Sequence, residues 1–321
     1  MAKNFVRYAI AVLVFTIAVV LWGAYVRATG AGAGCGNHWP LCNGEVVPRA
    51  AATQTLIEFT HRVMSGIDGL LILGLVPWAF LAFPRFHPSR LGAVLSSVFL
   101  TTEVLIGAAL VKLEHVAQNA SVGRAYSLSA HLLNTLTLLA CLALTAWWGA
   151  GGERLRLKGR AIRRAAPVLG VLVLVAWSGA IAALGDTLFP ASSLQAALRE
   201  DFNPAASIFL RWRPLHPLLA LLAAAAVSWF AVHAGSRFAK SRPFSRMVIT
   251  LLGAQLTAGL INLWLLAPIW MQVVHLLVAD LLWISLILLA ASTLQDSSIP
   301  ADLQFDDLAP HAAGIGRGGS K

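Results

Sequence analysis

The sequence predicts an all-α, polytopic membrane protein with eight transmembrane helices, arranged as two pseudo-symmetric four-helix bundles. Composition, the length of the apolar blocks and a weak internal repeat lead to this prediction. Of 321 residues, 58% are hydrophobic and 12% are charged, against roughly 45–50% and about 25% in an average soluble domain. The mean hydropathy is +0.74. A soluble core has no use for so much apolar surface, so lipid is expected to be the main solvent.

Eight apolar blocks have about the length that a helix needs to cross a hydrocarbon core roughly 30 Å thick. The first is followed by Arg27 and a glycine-rich loop, not by a small-residue cleavage site, so we expect it to remain as a span in the mature protein. A short surface helix with a serine start is predicted at 193–199. The predicted spans are 5–26, 56–81, 91–111, 125–148, 165–185, 214–233, 246–266 and 270–292.

The basic residues indicate the orientation in the membrane. Lysine and arginine concentrate at the N-terminus, in alternate connections and in the tail, and this bias marks the cytoplasmic side. We therefore expect a multi-pass protein of the inner (cytoplasmic) membrane with both termini cytoplasmic. The net charge of +10 then reflects topology and anionic membrane lipid, and no nucleic-acid partner is expected.

The strongly basic loop at 150–164 divides the spans four and four, and the two halves match weakly but in order. An even number of spans per half gives parallel repeats, in which equivalent residues lie at equal depth. The matching segments are 23–30 with 179–185, 103–107 with 255–259, and 131–133 with 275–277. The predicted domains are an N-terminal bundle at 1–150, a C-terminal bundle at 151–295 and a disordered cytoplasmic tail at 296–321.

The cysteines agree with this placement. Cys35 and Cys42 share the first non-cytoplasmic loop, where a disulfide can persist, and a disulfide is the favoured interpretation. Two free thiols, or a zinc site that includes His38, stay open. Cys141, inside the fourth span, is expected to be an ordinary small core residue.

Four of the nine histidines lie inside spans, where histidine is costly and usually functional. Each is expected within the first one to two turns of an even-numbered span, in the outer leaflet. Two per half can ligate the iron of a porphyrin from opposite sides. Histidines that cap helices or bond carbonyls, and a proton relay, are the alternatives. These four are His61, His131, His216 and His275, and the five expected at solvated positions are His38, His87, His115, His233 and His311.

The surroundings of the two histidine pairs differ. Glu58 precedes His61 by one helical turn, so its carboxylate can orient the imidazole, transfer a proton or act in substrate oxidation. No acid stands at the matching position before His216. Arg62 and Arg213 are predicted to pair with porphyrin propionates. Three further acids lie in spans and are either functional or merely paired: Asp68, Glu103 and Asp280.

This pattern resembles the haem A synthase family over nearly the whole chain. Members of that family are fused four-helix bundles that oxidise the C8 methyl group of haem O to a formyl group, which gives haem A for terminal oxidases. The residues that carry the resemblance are the glycine-rich segment 23–30, the cysteine loop 34–42, Glu58-Phe59-Thr60-His61-Arg62, and then His131, His216 and His275.

The resemblance implies a role for each pair of histidines. His61 and His131 flank the substrate haem O, whereas His216 and His275 ligate a resident haem b. Glu58 matches the catalytic carboxylate near the substrate, and the two external cysteines match the family's cysteine pair. The haem O synthase and the assembly of the terminal oxidase are the implied partners, with an electron donor of unknown identity. Some relatives carry a second cysteine pair, which the connection 186–213 lacks.

The residues alone also allow other functions. A di-haem b-type membrane cytochrome that transfers electrons without modifying haem is the main alternative. A haem transporter is disfavoured by parallel repeats with outer-leaflet histidines. A haem-passing assembly factor remains open as an additional role.

Overall fold

The computed structural model describes residues 1–49 and 51–295, and these form a helical membrane protein. The predicted tail at 296–321, with His311, lies outside the described residues. The helices are α1 (Ala2–Ala28), α2 (Thr53–Ala82), α3 (Pro88–Lys112), α4 (Val122–Gly149), α5 (Arg160–Leu188), α6 (Leu194–Asp201), α7 (Ile208–Trp212), α8 (Leu215–Arg237), α9 (Arg242–Trp264) and α10 (Ile269–Thr293).

Eight helical segments in the described residues are long and apolar enough to cross a membrane, as the sequence predicts. The sixth consists of α7 and α8, which together cover Ile208–Arg237. Most helices extend a few residues beyond the apolar blocks, because a helix can continue where polar side chains reach the interface. α9 ends earlier than predicted, since Leu266 and Ala267 adopt positive φ values of 59° and 54° and turn the chain despite being apolar.

The short helix predicted at 193–199 is α6. It begins after Ser193, whose side-chain oxygen accepts a hydrogen bond from the backbone nitrogen of Ala196 at 3.1 Å. This is the N-cap expected of a serine start. α6 lies in the longest connection on the end of the molecule that also carries the Cys35–Cys42 loop; we call this end the cysteine-loop end.

Within each half the long helices pack in the same order. α1 packs against α2 and α4, and α3 packs against the same two helices. In the second half, α8 packs against α5 and α9, and α10 packs against the same two helices. Each half has its own buried apolar cluster, one around Ile72 and Leu142 and the other around Val227 and Leu286. The pseudo-symmetry of two bundles, and the domain boundary at 150/151, stay predictions.

The halves also contact each other. A buried cluster that includes Leu139 of α4 and Ile284 of α10 lies between them. Trp283 donates from Nε1 to the carbonyl oxygen of Leu136 at 2.7 Å. Near the cysteine-loop end, Arg27 donates to the carbonyl oxygen of Ala183 at 2.9 Å. These polar contacts fix the relative register of the two halves at two depths.

Candidate functional site

The four intramembrane histidines lie at similar depths below the cysteine-loop end. His61, His131 and His275 come eight, nine and six residues after the first residues of α2, α4 and α10. His216 is the second residue of α8, but α7 begins its membrane segment eight residues earlier. At about 1.5 Å per residue, all four are roughly 9–14 Å from the helix starts. They are thus about two turns deep, somewhat deeper than the sequence predicts, because the helices begin earlier than the apolar blocks.

Each of these histidines contacts a glycine on the long helix that precedes it. A Cβ atom built on Gly23 would lie 3.0 Å from Cε1 of His61, and one on Gly179 would lie 2.9 Å from Cε1 of His216. Every larger residue would displace the ring. The arrangement recurs with Gly259, where an added Cβ atom would lie 3.1 Å from Cε1 of His275. Gly107 also faces its histidine, but a Cβ atom there would lie 3.8 Å from Cε1 of His131, which is an ordinary van der Waals distance.

The rings of His216 and His275 lie at about the separation that a shared metal would require. Their centroids are 6.3 Å apart and their planes are inclined by 87°. A metal held by both imidazoles, with bonds of about 2 Å and ring centres about 1.1 Å farther out, needs a centroid separation of about 6 Å. His216 Nδ1 lies 3.2 Å from the carbonyl oxygen of Val175, and this hydrogen bond leaves Nε2 as the free ligand atom.

Ring nitrogens of the other three histidines have unused bonding capacity. The Nδ1 atoms of His61, His131 and His275 are buried and have no hydrogen-bond partner, although buried polar atoms are usually paired. Among residues 1–49 and 51–295, no three His, Cys, Asp or Glu side chains form a group that could hold a bare metal ion. An iron porphyrin brings four nitrogens of its own and takes only axial ligands from the protein. The imidazole donors therefore fit a haem.

The Glu58 carboxylate is buried between α2 and the cysteine loop. Its Oε2 accepts from the backbone nitrogen of Cys35 at 2.8 Å, and its Oε1 accepts from Arg62 Nη2 at 2.5 Å. Arg62 also donates to the carbonyl oxygens of His38 and Leu41 at 2.7 and 2.6 Å. One carboxylate and one guanidinium thus connect the loop to the helical turn that carries His61.

The loop is closed by a disulfide between Cys35 and Cys42, as the sequence favours, so the free-thiol and zinc interpretations are wrong. Gly34, next to the disulfide, touches the start of α2. A Cβ atom on Gly34 would lie 2.5 Å from the backbone of Gln54, and the Gly34 carbonyl oxygen accepts from Thr55 Oγ1 at 2.8 Å. Backbone contact at this glycine brings Cys35 close enough to bond Glu58.

Comparison with protein families identifies the family of the chain. A family model described as cytochrome oxidase assembly protein matches residues 6–287. The chain belongs to this family.

Individual relatives match this chain over different lengths. Two proteins from strains of Thermus thermophilus, each named protoheme IX farnesyltransferase, are 49% identical over 296 residues, which is 90% of this chain and 48% of each relative. A heme A synthase of Geobacillus kaustophilus is 40% identical over 111 residues, 35% of both chains. One from Halalkalibacterium halodurans is 35% identical over 127 residues, 40% of this chain and 42% of the relative. The chain spans about half the length of the Thermus relatives that it matches.

Arg213 has partners that its local sequence does not reveal. It donates from Nη1 to Asp186 Oδ1 at 2.8 Å, and its Nη2 lies 2.7 Å from Asp201 Oδ1. No acid lies near His216 in sequence, yet folding brings two carboxylates to the residue one turn before it. Both Arg213 and Arg62 are engaged by acids, and their pairing with porphyrin propionates stays a prediction.

We expect the order of the cysteine loop to depend on its disulfide. Replacement of both cysteines by serine is expected to cost about 2–3 kcal/mol, because the unfolded chain regains the freedom of a short loop. Hydrogen exchange measured by mass spectrometry should show faster exchange in the double variant at the backbone amide of residue 35, which in the native protein donates to Glu58. Cys141→Ser, which changes the one free thiol in the described residues, serves as the control. Unchanged exchange in the double variant would contradict this prediction.

Proposed function

We propose that this chain is a haem A synthase, an oxidoreductase that converts the C8 methyl group of haem O to a formyl group and so supplies haem A to terminal oxidases. Membership of the cytochrome oxidase assembly family and the relatives named heme A synthase support this proposal. The observation that carries it is the inequality of two otherwise similar histidine pairs. Only the first has a buried carboxylate, Glu58, one turn before its histidine.

His61 and His131 would hold the substrate, haem O, in the first half, and His216 and His275 would hold a resident haem b. The ring separation of 6.3 Å supports the second assignment. Resident haem b supplies one-electron transfer when bound. The glycine contacts fix the depth and rotation of each imidazole, so the ligands are preorganised before the porphyrin enters.

Glu58 handles protons beside the substrate. Conversion of a methyl group to a formyl group takes two successive two-electron oxidations, each of which replaces a C–H bond by a C–O bond, and the resulting geminal diol loses water to leave the C=O group. A base next to the substrate can accept and return the protons of these steps. The Cys35 amide and Arg62 both donate to the Glu58 carboxylate, and these two bonds fix its position beside the loop. Because the cysteine loop covers this carboxylate, it also limits access of water.

The proposal includes an orientation and partners. The cysteine-loop end faces away from the cytoplasm, because a disulfide persists on that side of the membrane. The basic connections and both termini face the cytoplasm. Haem O arrives through the membrane from a haem O synthase, and the product leaves to terminal oxidase assembly. The name of the Thermus relatives, protoheme IX farnesyltransferase, places a haem-modifying activity in a longer protein that resembles this chain over about half its length.

That same similarity favours a second candidate function, farnesyl transfer to protohaem. The identity of 49% is higher than that to the heme A synthases compared above. Product analysis separates the two functions, because farnesyl transfer enlarges protohaem by a prenyl group whereas methyl oxidation acts on haem O. The di-haem cytochrome alternative yields neither product.

The test is to purify the protein in detergent, supply haem O and a reductant under air, and identify the haems by pyridine haemochrome spectra and mass spectrometry. We expect haem A from the native protein. Glu58→Gln keeps the size of the side chain but removes the base, so formyl product should fall at least about 100-fold while haem content is unchanged.

Glu45→Gln is the matched control, since Glu45 is an exposed acid three residues after Cys42; its rate should equal that of the native protein. Farnesylated protohaem after incubation with protohaem and farnesyl diphosphate would support the second candidate instead. A protein that binds haem b but does not convert haem O would support the di-haem cytochrome alternative and refute the proposal.

The glycine contacts generate a further prediction. Gly179→Ala places a methyl group against His216 and should reduce the haem b content of the purified protein by about 10-fold or more, because a displaced ligand binds the metal less tightly. Gly170→Ala, on the same helix, adds a methyl group that meets nothing within 4 Å and should leave the haem b content unchanged. Equal haem content in the two variants would contradict the assignment of His216.

A further inference from the structure

The second histidine of each half has a polar neighbour on the preceding long helix, and the two neighbours differ in charge. Glu103 Oε1 lies 3.4 Å from Nδ1 of His131, at ion-pair distance but outside hydrogen-bond geometry. Gln255 Nε2 lies 3.2 Å from Nε2 of His275. Each neighbour comes four residues before the glycine that its histidine contacts. The two neighbours approach different ring nitrogens, Nδ1 of His131 and Nε2 of His275, but they hold the same position relative to the glycine. By position, a carboxylate in the first half corresponds to an amide in the second.

The Glu103 carboxylate is held by the helix that it faces. Its Oε1 accepts from Thr135 Oγ1 and its Oε2 from Asn134 Nδ2, both at 2.5 Å. Asn134 is itself fixed, since its Nδ2 donates to the carbonyl oxygen of Phe99 at 2.8 Å and its Oδ1 accepts from Thr102 Oγ1 at 2.6 Å. These bonds aim the carboxylate at the His131 ring.

The second half lacks this support. The residues three and four positions after His275 are Val278 and Ala279, where the first half has Asn134 and Thr135. Gln255 Oε1 is buried without a hydrogen-bond partner. The amide thus touches the histidine without a network that orients it or a charge that polarises the ring.

A carboxylate beside a metal-bound imidazole increases the electron donation of the ring, and the greater donation stabilises the more oxidised metal. A neutral amide does so much less. On this basis we propose that Glu103 is a positioning residue that orients His131 and makes it the stronger iron ligand, so that iron held in the first half has a lower reduction potential than iron held in the second. This inference rests on the proposed function, because it requires His131 to bind iron.

The test compares reduction potentials in the purified full-length protein, with haem b bound and haem O added, by spectroelectrochemical titration that resolves the two haems. Glu103→Gln should weaken the preference of the first-half site for ferric over ferrous haem by about 10-fold, which corresponds to a rise of about 59 mV for one electron. The haem b potential should not move. Glu114→Gln, an exposed acid just after α3, is the matched control and should change neither potential.

The reciprocal variant, Gln255→Glu, should lower the haem b potential and leave that of the first-half haem unchanged. This variant also tests the inference if Glu103→Gln does not fold or loses its haem. In that case, an unchanged haem b potential in Gln255→Glu overturns the inference.

The two proposals fail in different ways. Two bound haems whose potentials stay unmoved in Glu103→Gln overturn only the role of Glu103. A native protein that binds no haem O through His61 and His131 overturns the proposed function, and this inference with it.

Discussion

The approach of a glycine to an imidazole, close at three of the four intramembrane histidines and looser at His131, is the constraint on which the rest of the structure depends. A histidine inside a membrane protein needs a partner for its ring nitrogens and a fixed position, since polar groups in hydrocarbon are costly. Gly23 and Gly179 allow α1 and α5 to approach the rings that α2 and α8 present. The helix packing therefore sets the ring positions, and ring positions decide which ligand the interior accepts.

Around this shared framework the halves differ in charge. In the first half, Glu58 and Glu103 place one carboxylate near each histidine, and both are held by named donors. In the second half, Arg213 with its two acidic partners stands one turn before His216, and Gln255 stands beside His275. Under the proposed function, a similar pair of histidines in two electrostatic environments would serve two tasks, conversion of a bound porphyrin in one half and storage of an electron in the other.

The sequence predicts the eight spans because lipid imposes a length and an apolar composition on each of them. It also predicts that the four histidines lie near one end of their spans, although not their full depth, and it predicts the serine start of α6, since both follow from spacing along one helix. The partners of Arg213 escape prediction, because Asp186 and Asp201 belong to other elements and only folding brings them there. The bond from the Cys35 amide to Glu58 escapes it too, since backbone groups leave no mark in the sequence. Spacing along a helix predicts Glu58 beside His61, but not the loop that covers it.

The pairing of the four histidines around two porphyrins is tested most directly by four single histidine-to-alanine variants, with each haem identified by its absorption and electron paramagnetic resonance spectra. The account predicts that His216→Ala and His275→Ala alter the same haem b signal, and that His61→Ala and His131→Ala alter only the signal of added haem O. Loss of haem b in a first-half variant with the second half intact, or full retention of both signals in all four variants, would contradict it.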